Sequence, residues 1–273
     1  MILYYIIMKG SGVLMAKGKG GRIHLLDELR GFAIICMVFF HAFFTAWSMF
    51  GFEFGKTLFY FFQPAQPYFA ALFILISGIS CNLSHSNIKR GLILAGISVA
   101  LTAVTYSGRF IGIYGITIWF GILHLLAFSI LFVAIAWRAL KKIVPIVGFI
   151  INLLLFFVTY FVSRDNGGFI NLFFIKIDLP DILYTTDWLC PLGFYSENFF
   201  SSDYFPILPW FFMFICGYYL GTYAKKNKFP QFFYNQHIRP LSVVGKYTLW
   251  IYIFHQPVIY GLFYALSFIM SHI

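Results

Sequence analysis

The chain has 273 residues, 61% of them hydrophobic and only 10% charged, whereas a water-soluble domain of ordinary composition carries about 25% charge. A soluble globular fold is excluded. The net charge of +10 would suit a nucleic-acid partner, but no basic helix or basic-aromatic platform accompanies it, so no nucleic acid is expected and the excess reads as membrane topology. Cys36, Cys81 and Cys216 fall in apolar stretches and Cys190 in a polar loop. No disulfide framework and no metal-ligand spacing is present.

In chain order, residues 1–21 read as a basic cytoplasmic N-terminal segment and 22–273 as a single transmembrane domain. Met1 to Met8 are apolar but too short to span, and Lys9 follows them instead of preceding them, so no signal peptide is expected. A spanning helix needs about 20 apolar residues. The charge-free stretches that qualify are Phe32–Met49, Leu58–Leu83, Gly91–Gly108, Ile116–Ala136, Ile143–Val162, Tyr204–Tyr223 and Tyr247–Ser271. The expected fold class is therefore all-α, a polytopic helix bundle in the lipid bilayer with about seven transmembrane helices, β-barrel strands being excluded by the long apolar runs. Pro64, Gln66 and Pro67 leave open a short re-entrant piece before a second span from Tyr68.

Placing the N-terminus in the cytoplasm puts 15 of the 19 basic residues on that side and leaves Lys56, Arg109, Arg164 and Lys176 outside with seven of the nine acids. The positive-inside rule favours this orientation, and a plasma-membrane location is expected. The loop Ser163–Asp203 is longer than ordinary connections and rich in Phe, Leu, Ile, Tyr and Trp. It is expected to fold back over the extracytoplasmic mouth, carrying Cys190 outside the cell.

Ionisable side chains inside spans are costly and mark functional sites. Apart from Tyr and Cys, the spans hold three, His41, His124 and His255, one on each of three spans, all expected at comparable central depth. Helical periodicity puts Asp27, Arg30, Ile34, Val38, His41 and Thr45 on one stripe of the first span. Thr117, Gly121 and His124 share a face of the fourth, and Thr248, Tyr252, His255 and Ile259 a face of the seventh. Asp203 opens the sixth span, where it is either a functional carboxylate or an N-cap of that helix. Each histidine equally admits a packing role through a hydrogen bond across helices, and Gly217 with Gly221 is a small-xxx-small packing pair.

At these residues the sequence resembles a short prokaryotic member of the heparan-alpha-glucosaminide N-acetyltransferase catalytic-domain family. The matching stretches are Leu26 to Gly31 with His41, Leu75 to Ser80, Trp119 to His124, Asp203 to Trp210, and Leu249 to Pro257. The arginine, ten residues, histidine spacing is similar to the wider transmembrane acyltransferase superfamily. The resemblance implies an integral-membrane enzyme moving acetyl from cytoplasmic acetyl-CoA to an extracytoplasmic sugar amine or hydroxyl, with no metal. Animal members carry a histidine in the loop just after the first span, but Ser48 to Thr57 contains none. The catalytic role therefore passes to His41 on the superfamily spacing, with His124, His255 and Asp203 as further catalytic candidates.

Coenzyme A carries several phosphates, which Arg30, with Asp27 beside it, and Arg90, Lys89, Arg138, Lys141 or Lys142 are placed to receive at the cytoplasmic face. A sugar hydroxyl or ammonium must lose a proton to attack the thioester, and a neutral histidine accepts it. The competing readings are a proton-coupled small-solute transporter using the same histidines and a non-catalytic scaffold. A transporter commonly shows inverted repeats and paired broken helices, neither of which is evident. Homo-oligomerisation is left open.

Overall fold

The computed structural model describes residues 22–112, 115–164, 167–172 and 174–272. The expected basic segment, residues 1–21, lies outside them. The described chain is mostly helical: α1 (His24–Ser48), α2 (Glu53–Phe62), a 3-10 step at Gln63–Ala65, α3 (Gln66–Cys81), α4 (Asn87–Ser107), α5 (Ile122–Leu140) and α6 (Pro145–Thr159) come first. A two-stranded antiparallel hairpin follows, β1 (Phe169–Asn171) and β2 (Lys176–Asp178), and then α7 (Ile207–Asn227), α8 (Gln231–Tyr234), α9 (Arg239–Lys246) and α10 (Thr248–Met270).

Six helices among the described residues are long and apolar enough to cross a membrane. The proline-bearing second span is one of them: Glu53–Cys81 runs helically for 29 residues, with Pro64 absorbed in the 3-10 step and Pro67 in the first turn after it, where a missing N–H costs little. The fifth expected span is the exception. Pro145 starts its helix and the chain turns away after Thr159, leaving 15 residues.

The described chain divides into two compact units, Ser77–Lys228 and a second formed by residues 22–76 with 229–272. In the first, backbones approach at glycines. The end of α3 meets α7 where Gly78 lies against the Phe214 carbonyl and Gly221 against Ile79 and Asn82, the packing role expected of Gly221. Gly148 of α6 accommodates the Tyr219 ring of α7, and Gly91 of α4 accommodates Leu131 of α5.

In the second unit α9 runs antiparallel to the start of α1, with Gly31 against the Leu241 carbonyl and Gly245 against the Asp27 carbonyl. The chain then reverses at Tyr247, and α10 runs parallel to α1: His41 meets His255, Thr45 meets Gln256, and Phe50 meets Tyr260 and Phe263. Six of the seven expected spans are thus long and apolar enough to cross a membrane, and α6, at 15 residues, is the one that falls short.

Candidate functional site

At the start of α1, Asp27 is 8% exposed and Glu28 3%. Buried carboxylates need partners, and both have them. Asp27 takes Arg22 Nε on Oδ2 at 2.7 Å and Arg30 Nη1 on Oδ1 at 2.9 Å. Glu28 Oε1 accepts the backbone N–H groups of His237 (2.8 Å) and Ile238 (3.1 Å), the entry to α9. Arg30 is thus held by Asp27 at the helix end. Glu28 lies inside the Leu26 to Gly31 stretch, but nothing in the sequence points to its amide partners on the approach to α9.

Three turns further along α1, the His41 imidazole lies against that of His255, ring centroids 5.1 Å apart and planes at 55°. Phe40 packs at the edge of the His41 ring. One residue beyond His255, Gln256 Oε1 accepts Thr45 Oγ1–H at 3.4 Å, so two neighbouring polar contacts join the helices. His255 Nδ1 lies 2.6 Å from the Tyr252 carbonyl. A carbonyl only accepts, so Nδ1 carries the proton and Nε2 is the basic nitrogen of the neutral ring. Pro257, two residues on, withholds the N–H that Ile253 would otherwise receive, loosening α10 beside the pair. Gln256 was missed as a functional candidate although it adjoins His255.

His124 sits differently from the expectation of central depth. Helix α5 begins only at Ile122, because the preceding segment is extended and pairs with residues 202–205: Ser202 N–H donates to Thr117 O (2.9 Å) and Phe205 N–H to Phe120 O (3.0 Å). Thr117 therefore shares no helical face with His124, which lies in the first turn. Its Nδ1 accepts the Gly121 N–H at 3.2 Å. Its Nε2 lies 3.2 Å from Thr102 Oγ1, whose own proton goes to Ile118 O at 2.8 Å. The histidine is consequently the Nε2–H tautomer, with both nitrogens engaged in holding this helix entry. Thr102 was missed because nothing in sequence announces a partner from α4.

Asp203 is a cap, but of another helix than expected. Its Oδ2 accepts the Ile122 N–H at 2.9 Å, closing the N-terminus of α5. Gly121 leaves room for the carboxylate, since a Cβ there would strike it. Of the sequence candidates, His41 joins His255 within one unit, and His124 joins Asp203 within the other.

Arg90 and Lys89, adjacent in sequence, diverge at the start of α4. Lys89 is exposed, its N–H capped by Ser86 Oγ at 3.3 Å. Arg90 reaches back to the Ser80 carbonyl (3.4 Å), near Asn87 Nδ2 on Cys81 O (2.9 Å) and Lys225 Nζ on Asn82 O (2.9 Å). Two basic residues from α4 and α7 thus converge on the end of α3. Lys141 and Arg138 instead lie over the Trp137 ring, at 4.2 and 5.9 Å. No group of three or more His, Cys, Asp or Glu able to hold a metal is found among the described residues.

In the long loop, the Cys190 thiol is half-buried, and burial with the nearby Asp187 carboxylate pushes it up to about 11. The thiolate is the reactive form, so this cysteine is sluggish at neutral pH.

A family model described as heparan-alpha-glucosaminide N-acetyltransferase, catalytic, matches residues 22–257, from the Arg22–Asp27 pair to the residue two beyond His255. Comparison with curated proteins and with solved structures returns no match. On a match over most of its length, the chain belongs to the heparan-alpha-glucosaminide N-acetyltransferase catalytic family and is a transmembrane acetyltransferase.

Proposed function

We propose that residues 22–273 act as one catalytic domain in the plasma membrane, N-terminus cytoplasmic, moving acetyl from cytoplasmic acetyl-CoA to an extracytoplasmic sugar amine or hydroxyl. The observation that carries the reading is the His41–His255 contact on parallel helices, within a chain of this family. His41 is the general base that takes the acceptor's proton as the amine or hydroxyl attacks the thioester carbonyl. His255, its tautomer set by Tyr252, presents a second basic nitrogen beside it. His124 and Asp203 hold the entry to α5 in the other unit.

Arg30, fixed by Asp27, meets the donor's phosphates. Arg30→Lys keeps the charge but loses the planar fork that pairs with both Asp27 and a phosphate. The expected result is a several-fold weaker affinity for acetyl-CoA in protein that remains monodisperse in detergent, measured by calorimetry. Unchanged affinity would confine Arg30 to holding the helix end. Binding of acetyl-CoA by the wild-type protein, followed by acetyl transfer to a panel of amino sugars, tests the whole reading. Failure to bind the donor would return the histidines to proton-coupled transport.

The orientation has its own test. Cys190 was expected to report the outer face, but with its thiol pushed to about 11, labelling by an impermeant maleimide should be slow near neutrality. It should rise about tenfold per pH unit toward that value. Trp188, 90% exposed in the same loop, is the better position. Trp188→Cys should label rapidly in intact cells; labelling only after permeabilisation would reverse the orientation and the side of acetyl delivery.

A further inference from the structure

The hairpin after α6 carries its apolar residues outward. Phe174 at its tip is 100% exposed, Ile175 61% and Leu172 42%, and two three-residue strands are marginal in water on their own. The hairpin is tied to the end of α6: Phe169 N–H donates to Phe161 O at 3.1 Å, and the Phe169 ring stacks on Phe161 at 4.8 Å and 16°. Ring contacts continue from Phe161 to Tyr160 (5.2 Å) and from Tyr160 to Phe156 (5.6 Å) inside α6. The aromatic surface of the helix therefore runs without a break into β1.

Two cations lie on the same rings. Arg164 stands over Phe161 and Phe169 at 5.2 and 5.6 Å, and Lys176 Nζ over Phe169 at 4.4 Å. Aromatic rings with cations beside them are the composition of a membrane–water interface. Helix α6 also needs such an extension. Its 15 residues reach about 22 Å at 1.5 Å each, while the hydrocarbon core is about 30 Å thick. A short span is accommodated by thinning the bilayer or by flanking groups that enter it.

We propose that the β1–β2 hairpin is a lipid anchor, its tip at Phe174 and Ile175 entering the leaflet at the end of α6 while Arg164 meets the phosphates of the headgroups and Lys176, ion-paired with Asp178 Oδ1 at 2.7 Å, stays at the water-facing edge. The occupant is the bilayer the protein already spans. Continuity with the lipid-facing surface of α6, where Ile146, Ile150, Leu154 and Phe157 are all exposed, favours it over a soluble partner. The anchor is independent of the acetyl-transfer reading.

The test places an environment-sensitive NBD fluorophore on Phe174→Cys or Ile175→Cys in the full chain. The protein is reconstituted in vesicles of phosphatidylcholine and phosphatidylglycerol, with Glu197→Cys, an exposed charged position of the same loop, as the aqueous control. Both tip positions are exposed, so neither substitution removes a buried contact, and the slow Cys190 thiol contributes little background. The expected result is blue-shifted emission at both tip positions, quenched by brominated phosphatidylcholine and shielded from aqueous iodide, with the reverse at Glu197→Cys. Water-like emission quenched by iodide at the tip would overturn the proposal. A blue shift appearing only at high protein density, or only on adding a glycan acceptor, would assign the surface to a second copy or to the acceptor and overturn it equally.

Discussion

His41→Gln should lower acetyl-transfer turnover by about 10²- to 10⁴-fold, the usual contribution of a positioned acid–base group, while acetyl-CoA still binds. Glutamine keeps the size and some hydrogen bonding but cannot take the proton. Because the His41 and His255 rings touch, the two should act as a unit. His255→Gln is expected to cost a substantial part of the same loss, and the double variant little more than His41→Gln alone, the non-additivity of groups sharing one task. His124→Gln behaves differently. Both of its ring nitrogens hold the entry to α5, so its main effect should be on thermal stability, with a smaller effect on turnover. The measurement is single-turnover acetyl transfer by detergent-purified protein, with donor binding followed separately. Near-normal turnover in His41→Gln would remove it from the mechanism, and fully additive losses would dissolve the pair.

Much of this arrangement was legible in the sequence, because a membrane forces apolar length and charge placement into view. The spans emerged from runs such as Tyr247–Ser271 and Phe32–Met49, and His41 and His255 stood out as ionisable groups within them. Their contact did not. It depends on α10 running parallel to α1 after α9 has reversed the chain, and that reversal rests on glycines meeting backbone, a feature invisible to hydropathy. His124 was misplaced for a related reason. The residues Ile116–Phe120 are as apolar as a helix, but the chain spends their backbone groups on pairing with residues 202–205, so α5 starts later. Asp203 was weighed as a functional carboxylate or a cap of its own helix, and the backbone N–H it serves was out of sight because it lies 81 positions away in sequence. Glu28 shows the same limit, its two amide partners lying more than 200 residues along the chain.

The second large effect is expected at Gly31, where α1 and α9 touch backbone to backbone. A Cβ at this position would be driven into the Leu241 carbonyl, with the Gly245 nitrogen also only 3.0 Å away. The obstacle is main chain on a helix whose entry is pinned to Glu28, so it cannot rotate aside as a flexible side chain would. Overpacking of this kind costs about 1–3 kcal/mol and occasionally more. Gly31→Ala should therefore sharply reduce the fraction of protein that stays monodisperse after heating in detergent, and Gly31→Val should leave little folded protein. Gly96 on α4 is the control, since a Cβ there meets nothing within 4 Å; Gly96→Ala should be tolerated. The damage at Gly31 should extend to the donor end. Displacing α9 pulls His237 and Ile238 off Glu28 and shifts the Asp27 backbone that Gly245 packs against, and with it the carboxylate that fixes Arg30. Surviving Gly31→Ala protein should accordingly bind acetyl-CoA more weakly than Gly96→Ala. Equal heat resistance in the two variants would mean that α9 is not docked on α1, and the alignment of α10 with α1 that brings His255 to His41 would lose its structural cause.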